Sequence, residues 1–274
     1  MPAAFLFCAP GCIICALYYV GNGNTKKRVE MISLVPDYYF DFRCKAGKCR
    51  HSCCEGWEVD IDPVSFARYQ ADGLGHIAME DGVAHFELTP DLRCPYLNGE
   101  GLCELIIDHG EDYLCQICTD HPRFRNYWTG ITETGLGLSC EECAGIILSA
   151  DRPFKLVSMD GTDIDEKALI ASLPEDEQYL WNVRSELLRD AAGISDSMTA
   201  RFTEYLIFRH IPDALYDDRL KQRVKFVQYC LDSILDAWDA SPDQSEDALF
   251  ETARRFSAEI EYNEIRKNEL IASM

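Results

Sequence analysis

The stretch FRCKAGKCRHSCCEGWEVDID, residues 42–62, places four cysteines within eleven positions. They are spaced C-x4-C-x3-C-C, so Cys53 and Cys54 are adjacent. Neighbouring side chains of an extended chain point to opposite sides, so these two thiols are expected to serve different metals or different roles rather than one tetrahedral ion. The stretch therefore predicts a thiolate-rich metal site and a lobe of protein built around it.

Cysteine usage along the whole chain supports the same interpretation. Ten of the fourteen cysteines fall between Cys44 and Cys143. Disulfide frameworks belong mainly to small secreted domains, whereas 274 residues with 47 % hydrophobic content can bury a core without them. Clustered thiols indicate metal ligation in a reducing compartment, and we expect a cytoplasmic protein. The cysteines outside the dense groups are expected to be ordinary buried thiols: Cys8, Cys12, Cys15 and Cys230.

Two kinds of metal centre are compatible with these residues. Cys115-x2-Cys118 and Cys140-x2-Cys143 form two knuckle-like pairs separated by twenty-one residues, which is close to the spacing of a zinc ribbon. The alternative is a 4Fe–4S cluster that draws cysteines from the 44–54 group and from the later groups. Zinc knuckles alone would leave six of the ten clustered cysteines without a task.

The net charge limits the partners. Lys and Arg total 26 and Asp and Glu total 47, so the formal charge is 26 − 47 = −21. An acidic protein is repelled by phosphate backbones and by anionic membrane surfaces. We therefore expect no nucleic-acid partner. The charge is compatible with a basic, Lys-bearing protein partner; the alternative is that it only keeps the chain in solution.

The first thirty residues form a separate segment. Residues 2–20 carry no charged side chain, and nineteen apolar residues are just long enough to span a bilayer. The basic residues 26–28 follow, which would place the next domain on the cytoplasmic side. A membrane association is expected only if 2–20 is a true anchor. The favoured interpretation of 1–30 is an over-extended start, because Met31 opens a natural beginning of the cysteine domain.

The remaining chain predicts an α+β fold. A cysteine-cluster domain with short strands and helices is expected over 31–155, followed by an all-helical domain over 156–274. In the first domain, WEVDID (57–62) and HFELT (85–89) are predicted strands, and Asp62 with Pro63 predicts the start of a helix. The Gly-rich turn between Cys94 and Cys103 predicts a hairpin, and a short helix that carries Cys115 and Cys118 is expected to stop before Pro122. TETGLGL (132–138) is interpreted as a Gly-rich entry to a helix with Cys140 at its start. The second domain is predicted from apolar residues at helical spacing in four segments: 176–192, 200–211, 220–238 and 246–273.

Polar and glycine residues between the later thiols are candidate ligand-binding positions. Arg123, in HPRF, is expected to offset the charge of a thiolate-bound metal or to clamp a carboxylate; the alternative is a surface ion pair. Glu133 precedes GLGLSCEE, where Gly135 and Gly137 would let the backbone approach a ligand. Ser139 is expected to cap the helix that begins near Cys140.

The ordered set of motifs resembles the flagellin lysine N-methylase family and its wider cysteine-cluster relatives. The set runs C-x4-C-x3-CC-x2-W-x-V-x-ID, then CPYL and GLC, then C-x2-HPRF, then E-x-GLGLSCEE, from about Val35 to Ala150. The late stretch FSAEIEYNEIRKNEL (256–270) is similar to the family's C-terminal helix. Cys115 and Cys143 stand outside the ligand set that this resemblance implies.

The resemblance implies a protein lysine N-methyltransferase that uses S-adenosylmethionine, acts on flagellin and carries an iron–sulfur cluster. Arg123, Glu133 and Ser139 would then contact the cofactor. Carried over by position, the implied cluster ligands are Cys44, Cys49, Cys53, Cys54, Cys94, Cys103, Cys118 and Cys140.

The usual nucleotide-binding motif of methyltransferases is absent from the sequence. No G-x-G-x-x-G follows a predicted strand. Two alternatives to the methyltransferase therefore stay open. One is a non-enzymatic metal-binding module with a structural or redox-sensing cluster, and the other is a zinc-stabilised adaptor.

Overall fold

The computed structural model describes residues 31–149 and 152–274. The predictions for residues 1–30, including the apolar run and Cys8, Cys12 and Cys15, lie outside the described residues. The strands are β1 Ile32–Pro36, β2 Asp60–Ile61, β3 Ile77–Glu80, β4 Val83–Phe86, β5 Arg123–Trp128, β6 Ile131–Leu136 and β7 Leu156–Ser158. The helices are α1 Pro63–Ala71, α2 Glu104–His109, α3 Gln116–Asp120, α4 Glu141–Leu148, α5 Glu166–Ala171, α6 Glu175–Ala192, α7 Ser197–His210, α8 Ala214–Asp217, α9 Leu220–Asp239, α10 Glu246–Phe256 and α11 Glu264–Ser273.

The α+β class is confirmed, but the chain divides elsewhere than predicted. The smaller compact unit is Lys45–His121, and the larger one joins Met31–Cys44 to Pro122–Met274. The division thus differs from the expected boundary at residue 155. The reason is that β1, β5, β6 and α4 pack with the late helices, so the larger unit is not all-helical.

The smaller unit, Lys45–His121, holds a three-stranded antiparallel sheet of order β2-β4-β3. As predicted, α1 begins at Pro63, and the Asp62 side chain accepts hydrogen bonds from the amides of Val64 and Ser65. The two predicted strands differ from the observed ones. Within WEVDID only β2 forms a strand, and in place of HFELT the strand is β4, which begins at Val83 and ends at Phe86.

The larger unit contains a four-stranded sheet of order β5-β6-β1-β7. β5 and β6 form a hairpin from Arg123↔Leu136 to Trp128↔Ile131. β1 adds parallel to β6, and β7 adds antiparallel to β1. The sequence analysis missed this sheet, because TETGLGL was interpreted as a loop that leads into a helix.

The helices of the larger unit follow the predicted apolar periodicity. α6, α7 and α9 match three of the four predicted segments, and they share a core of thirty buried residues with the sheet and α4. The fourth segment, 246–273, is not one helix. A π-helical turn at Ser257–Glu261 follows α10, and a break at Tyr262 precedes α11, whose N-terminus is capped by the Asn263 side chain. Over the ranges that the structure describes, no helix is both long and apolar enough to cross a bilayer.

Candidate functional site

Five thiols gather in the core of the smaller unit. Cys94 and Cys115 are buried members of that core, which also contains aliphatic and aromatic side chains such as Val59 and Phe86. Three partly buried cysteines pack against it: Cys54, Cys103 and Cys118. All five are free thiols, so soft sulfur donors from four separate segments line one apolar cluster.

Backbone hydrogen bonds hold the first two of these thiols in place. The Cys94 amide donates to the Cys54 carbonyl at 2.7 Å. The next residues of the two segments are also paired: Glu55 and Arg93 form an antiparallel bridge, and the Gly56 amide donates to the Leu92 carbonyl at 2.8 Å. The predicted stretch around Cys53 and Cys54 is therefore fastened directly to the CPYL motif.

A small hairpin brings Cys103 back to Cys94, as the sequence predicted. Leu97 and Cys103 form an antiparallel bridge around the turn. The Asn98 side chain accepts hydrogen bonds from the amides of Glu100 and Leu102, at 2.9 and 3.0 Å. Cys103 then becomes the N-cap residue of α2.

Cys115 and Cys118 lie at the start of α3, which ends before Pro122 as predicted. The Cys115 Sγ lies 3.8 Å from the Asp60 carbonyl oxygen. Asp62, the N-cap of α1, also accepts from the Gln116 amide at 2.9 Å, so one carboxylate fixes the starts of both helices. Cys115 was not among the implied ligands, yet it is the most buried of the five thiols.

The five thiols influence one another's ionisation. The hydrogen bond from Cys53 lowers the pKa of Cys54 to about 7, more than burial raises it. Burial raises the pKa of Cys94 to about 11. The hydrogen bond to Cys115, burial and the neighbouring thiolates raise the pKa of Cys118. Several ionised thiols in this cluster therefore need a compensating positive charge.

The spacing of the thiol sulfurs can be compared with that of a zinc site. Four thiolates on zinc at about 2.3 Å would hold the sulfur atoms within about 4 Å of one another. Across residues 31–149 and 152–274, no three thiol sulfurs lie within 4.8 Å of one another. The thiols therefore have the chemistry of a thiolate-bound centre without the close geometry of a preformed zinc site.

A second thiol pair lies in the larger unit. Cys140 is the N-cap residue of α4, and Cys143 is fully buried in its first turn. The hydrogen bond from Cys143 lowers the pKa of Cys140 to about 7. Arg123 acts on this pair, because its positive charge counteracts part of the rise that burial causes in the pKa of Cys143. The Arg123 Nε donates to the Tyr39 hydroxyl at 2.8 Å.

The remaining predicted positions differ in their exposure to solvent. Cys44 and Cys53 are exposed, and Cys49 is half-buried. Ser139 does not cap α4: Cys140 occupies the N-cap position, and the buried Ser139 hydroxyl makes no hydrogen bond within the described residues. Cys230 is buried in α9, as predicted for an ordinary core thiol.

Glu133 has a partner inside the protein rather than a ligand. Its carboxylate accepts two hydrogen bonds from the Arg184 guanidinium, at 2.6 and 2.7 Å, and both side chains are almost completely buried. Asn126 donates to the same carboxylate at 3.2 Å, and the Arg184 guanidinium lies over the rings of Trp128 and Trp181. Glu133 is therefore a structural residue of the larger core.

The two glycines of GLGL make room for aromatic side chains of the same unit. A Cβ at Gly135 would collide with the Phe124 ring. A Cβ at Gly137 would collide with the Tyr262 hydroxyl, which donates to the Pro122 carbonyl at 3.4 Å. The space that was predicted for a ligand is filled by side chains of the unit itself.

A buried ionic network surrounds Glu261, at the end of the π-helical turn. Its carboxylate accepts from the Tyr205 hydroxyl at 2.9 Å, lies 2.6 Å from the His210 Nε2 and pairs with Arg209 at 3.3 Å. The sequence analysis missed these residues and Arg184. One signal in the sequence could have found them. These charged residues lie on the apolar faces of predicted helices, and charged residues are rarely buried without partners.

One groove of the larger unit does not resemble a methyl-donor site. It has a volume of about 330 Å³ and lies between α6, α7 and α9. Its lining is chiefly aliphatic, and Asp190 is its one charged residue, so it offers no cation for the carboxylate of an amino acid.

The fold and the thiols define a class of protein: an α+β protein in which a small unit gathers cysteines and a larger unit buries two ionic networks. Comparison with known proteins confirms the predicted resemblance. The chain is 26 % identical over 167 residues to a lysine-N-methylase of Salmonella choleraesuis (strain SC-B67), which is 56 % of this chain and 41 % of that protein. The lysine-N-methylase of Salmonella typhimurium (strain LT2) gives the same identity and coverage.

A third relative is the flagellar biosynthetic protein FliU of Salmonella muenchen. The identity is 25 % over 133 residues, which is 44 % of this chain and 79 % of that protein. The chain thus spans about 41 % of the length of the lysine-N-methylases it matches. No family model matches the chain, and no solved structure matches it.

Proposed function

We propose that this protein is a protein lysine N-methyltransferase that uses S-adenosylmethionine and acts on flagellin in the cytoplasm. The similarity to lysine-N-methylases over 56 % of the chain carries this proposal. The similarity to a flagellar biosynthetic protein supports flagellin as the substrate. A net charge of −21 favours association with a Lys-bearing surface.

The thiols are proposed to hold an iron–sulfur cluster, with zinc as the alternative. In the smaller unit Cys54, Cys94, Cys103 and Cys118 are the proposed ligands, and the packing adds Cys115 as a candidate. The resemblance adds Cys44, Cys49, Cys53 and Cys140. Such a centre supplies the positive charge that lets several thiolates coexist in an apolar cluster.

The proposed reaction is a direct displacement. The neutral lysine Nζ forms a bond to the methyl carbon while the sulfur–methyl bond breaks, and the electron pair of that bond passes to the sulfur of the donor. The product ammonium then loses a proton to solvent. Because only the unprotonated amine reacts, the protein must bind lysine in a place that favours its neutral form.

Arg123 and Ser139 remain the proposed contacts to the methyl donor. Arg123 carries a guanidinium that matches a carboxylate, and the buried Ser139 hydroxyl has a free hydrogen-bonding capacity within the described residues. Glu133 is not proposed as a contact to the methyl donor, because the Arg184 guanidinium donates a hydrogen bond to each of its carboxylate oxygens.

The test is the intact mass of flagellin after anaerobic incubation with the purified protein and S-adenosylmethionine. We expect mass increments of one methyl group, which disappear without the donor. Cys94→Ser should abolish the increments together with the iron content. The matched control is Cys230→Ala, which removes a buried thiol of α9 and should leave both unchanged.

The absence of a G-x-G-x-x-G nucleotide-binding motif favours one second candidate, the non-enzymatic metal-binding module. It predicts bound iron but no calorimetric signal with S-adenosylmethionine and no mass increment. That combination, in protein with its full metal content, would replace the methyltransferase proposal. Colourless protein that contains zinc would replace the iron–sulfur proposal alone.

A further inference from the structure

Three metal-capable side chains meet on the small sheet, and none of them has a role in the proposed methyl transfer. Glu58 precedes β2, Glu80 ends β3 and His85 lies in β4. One carboxylate oxygen of each glutamate and one ring nitrogen of His85 all lie within 4.8 Å of one another. Throughout the described ranges, no other three His, Cys, Asp or Glu side chains come this close.

The strand register explains why these residues share one face. His85 pairs with Asp60 of β2 on one side and with Ala78 of β3 on the other. Side chains alternate along a strand, so Glu58, two residues before Asp60, faces the same way as His85. Glu80, two residues after Ala78, does so too. The sheet itself therefore brings the three side chains together.

The burial and partners of His85 point to a ligand. The residue is 9 % exposed, and its Nδ1 lies 3.7 Å from the Glu58 Oε1, beyond hydrogen-bond distance. Its imidazole makes no hydrogen bond to any described residue, and Glu58 is its one ion-pair partner there. No Lys or Arg of the described residues pairs with either carboxylate. Two carboxylates and a buried imidazole thus face each other without a Lys or Arg of the described residues.

We propose that Glu58, Glu80 and His85 bind a divalent transition-metal ion of the Zn²⁺ or Co²⁺ type. One imidazole nitrogen and two carboxylate oxygens form a borderline ligand set, harder than thiolates, and the two carboxylates balance the charge of the ion. Three protein ligands leave room for water in the remaining positions. The ion would join β2, β3 and β4, which are only two to four residues long. This site is separate from the thiols and does not depend on the methyltransferase proposal.

The test uses Co²⁺, because its absorption spectrum distinguishes the ligands. Purified protein that carries its own thiol-bound metal is titrated with Co²⁺ in excess Mg²⁺, which occupies exposed carboxylates. We expect one additional Co²⁺ per chain with weak visible bands and without the intense near-ultraviolet bands of cobalt–thiolate bonds. Glu80→Gln should weaken this binding about tenfold or more, since it removes a ligand from an exposed position.

Glu100→Gln is the matched control, because it removes the same charge from an exposed position of the same unit. It should bind Co²⁺ as tightly as the unchanged protein. Equal affinity in both variants, or cobalt bound only with thiolate bands, would overturn the proposal.

A second measurement follows metal binding in the unchanged protein. Zn²⁺ should shift the ring resonances of His85 in the unchanged protein and raise the midpoint of thermal unfolding. The resonance is assigned with His85→Asn, which is used for assignment only. Unshifted His85 resonances at saturating Zn²⁺ would also overturn the proposal.

Discussion

The smaller unit buries nine residues in its core, two of them cysteines, whereas the larger unit buries thirty. The larger unit also pairs its buried charges internally, Glu133 with Arg184 and Glu261 with Arg209. The buried thiols of the smaller unit have no such partners of opposite charge among the groups that shift their pKa values. Stability in the larger unit therefore comes from apolar burial and paired ions, while the smaller unit is proposed to need the metal centre that its thiols would bind.

The two units differ in how much of their stability the core can supply. Secondary structure in the smaller unit is short, and a core of nine residues gives little free energy of folding by itself. The larger unit resembles an ordinary globular core in size. Metal removal and core substitutions should therefore act on different parts of the chain.

The largest expected effect is the loss of the smaller unit on metal removal. Cys94→Ser, or chelation of the unchanged protein, should increase amide exchange in residues 45–121 by about a hundredfold or more, since structural metals contribute many kcal/mol to folding. Exchange in 122–149 and 152–274 should stay slow. Hydrogen–deuterium exchange read by mass spectrometry gives both values. Equal protection of 45–121 with and without metal would remove the contrast between the units.

The next effect concerns the buried ion pair of the larger unit. Glu133→Gln leaves the Arg184 charge without its partner, and we expect a loss of about 3–5 kcal/mol in the free energy of unfolding. Asp163→Asn is the control, because its partner Lys155 is half exposed and an exposed pair contributes less than about 1 kcal/mol. Urea unfolding monitored by tryptophan fluorescence compares them. Similar small losses in both variants would show that the core does not depend on this pair.

The third prediction is the pH dependence of the Glu261 network. Burial raises the pKa of Glu261, but the Arg209 charge and the His210 hydrogen bond outweigh it and lower the pKa from 4.5 to about 2. The stabilisation is therefore complete above pH 4.5 and is lost as the pH falls toward 2. Burial lowers the pKa of His210, so its protonation in the unfolded state adds a loss that begins near pH 6.5.

Urea unfolding of the unchanged protein and of Glu261→Gln checks this dependence. Between about pH 6 and pH 3, the unchanged protein should lose about 2 kcal/mol more than the variant. The variant is less stable at neutral pH but lacks the carboxylate whose protonation is measured. Parallel pH profiles for the two proteins would exclude Glu261 as the source.

The smallest effect compares two glycines of the larger unit. Gly135→Ala forces a Cβ into the Phe124 ring and should cost about 1–3 kcal/mol. Gly145→Ala, in the middle of α4, meets no atom within 4 Å and should stabilise the protein by about 0.5–1 kcal/mol. Thermal unfolding midpoints give the sign of each change. A stabilising Gly135→Ala would show that the Phe124 ring does not fill this space.

Local signals in the sequence were sufficient for many elements. Asp62 and Pro63 predicted the start of α1, the apolar period predicted α6, α7 and α9, and the turn between Cys94 and Cys103 predicted their proximity. Each of these features depends on residues that are close in the chain. The four-stranded sheet was missed, because β1 pairs with β6 about a hundred residues away and no local pattern records that pairing.

The sequence by itself determined the thiol-rich region, the family resemblance and the late helices, because spacing and periodicity are properties of neighbouring residues. Only the tertiary structure decided which groups meet. It paired Glu133 with Arg184, filled the space beside Gly135 and Gly137 with aromatic rings, and placed the boundary between the units at His121 rather than at residue 155. It also brought Glu58, Glu80 and His85 together across three strands. These contacts depend on strand register and on packing between distant segments. Because burying an unpaired charge costs free energy, a buried charged group must find its partner among the groups that the fold brings to it.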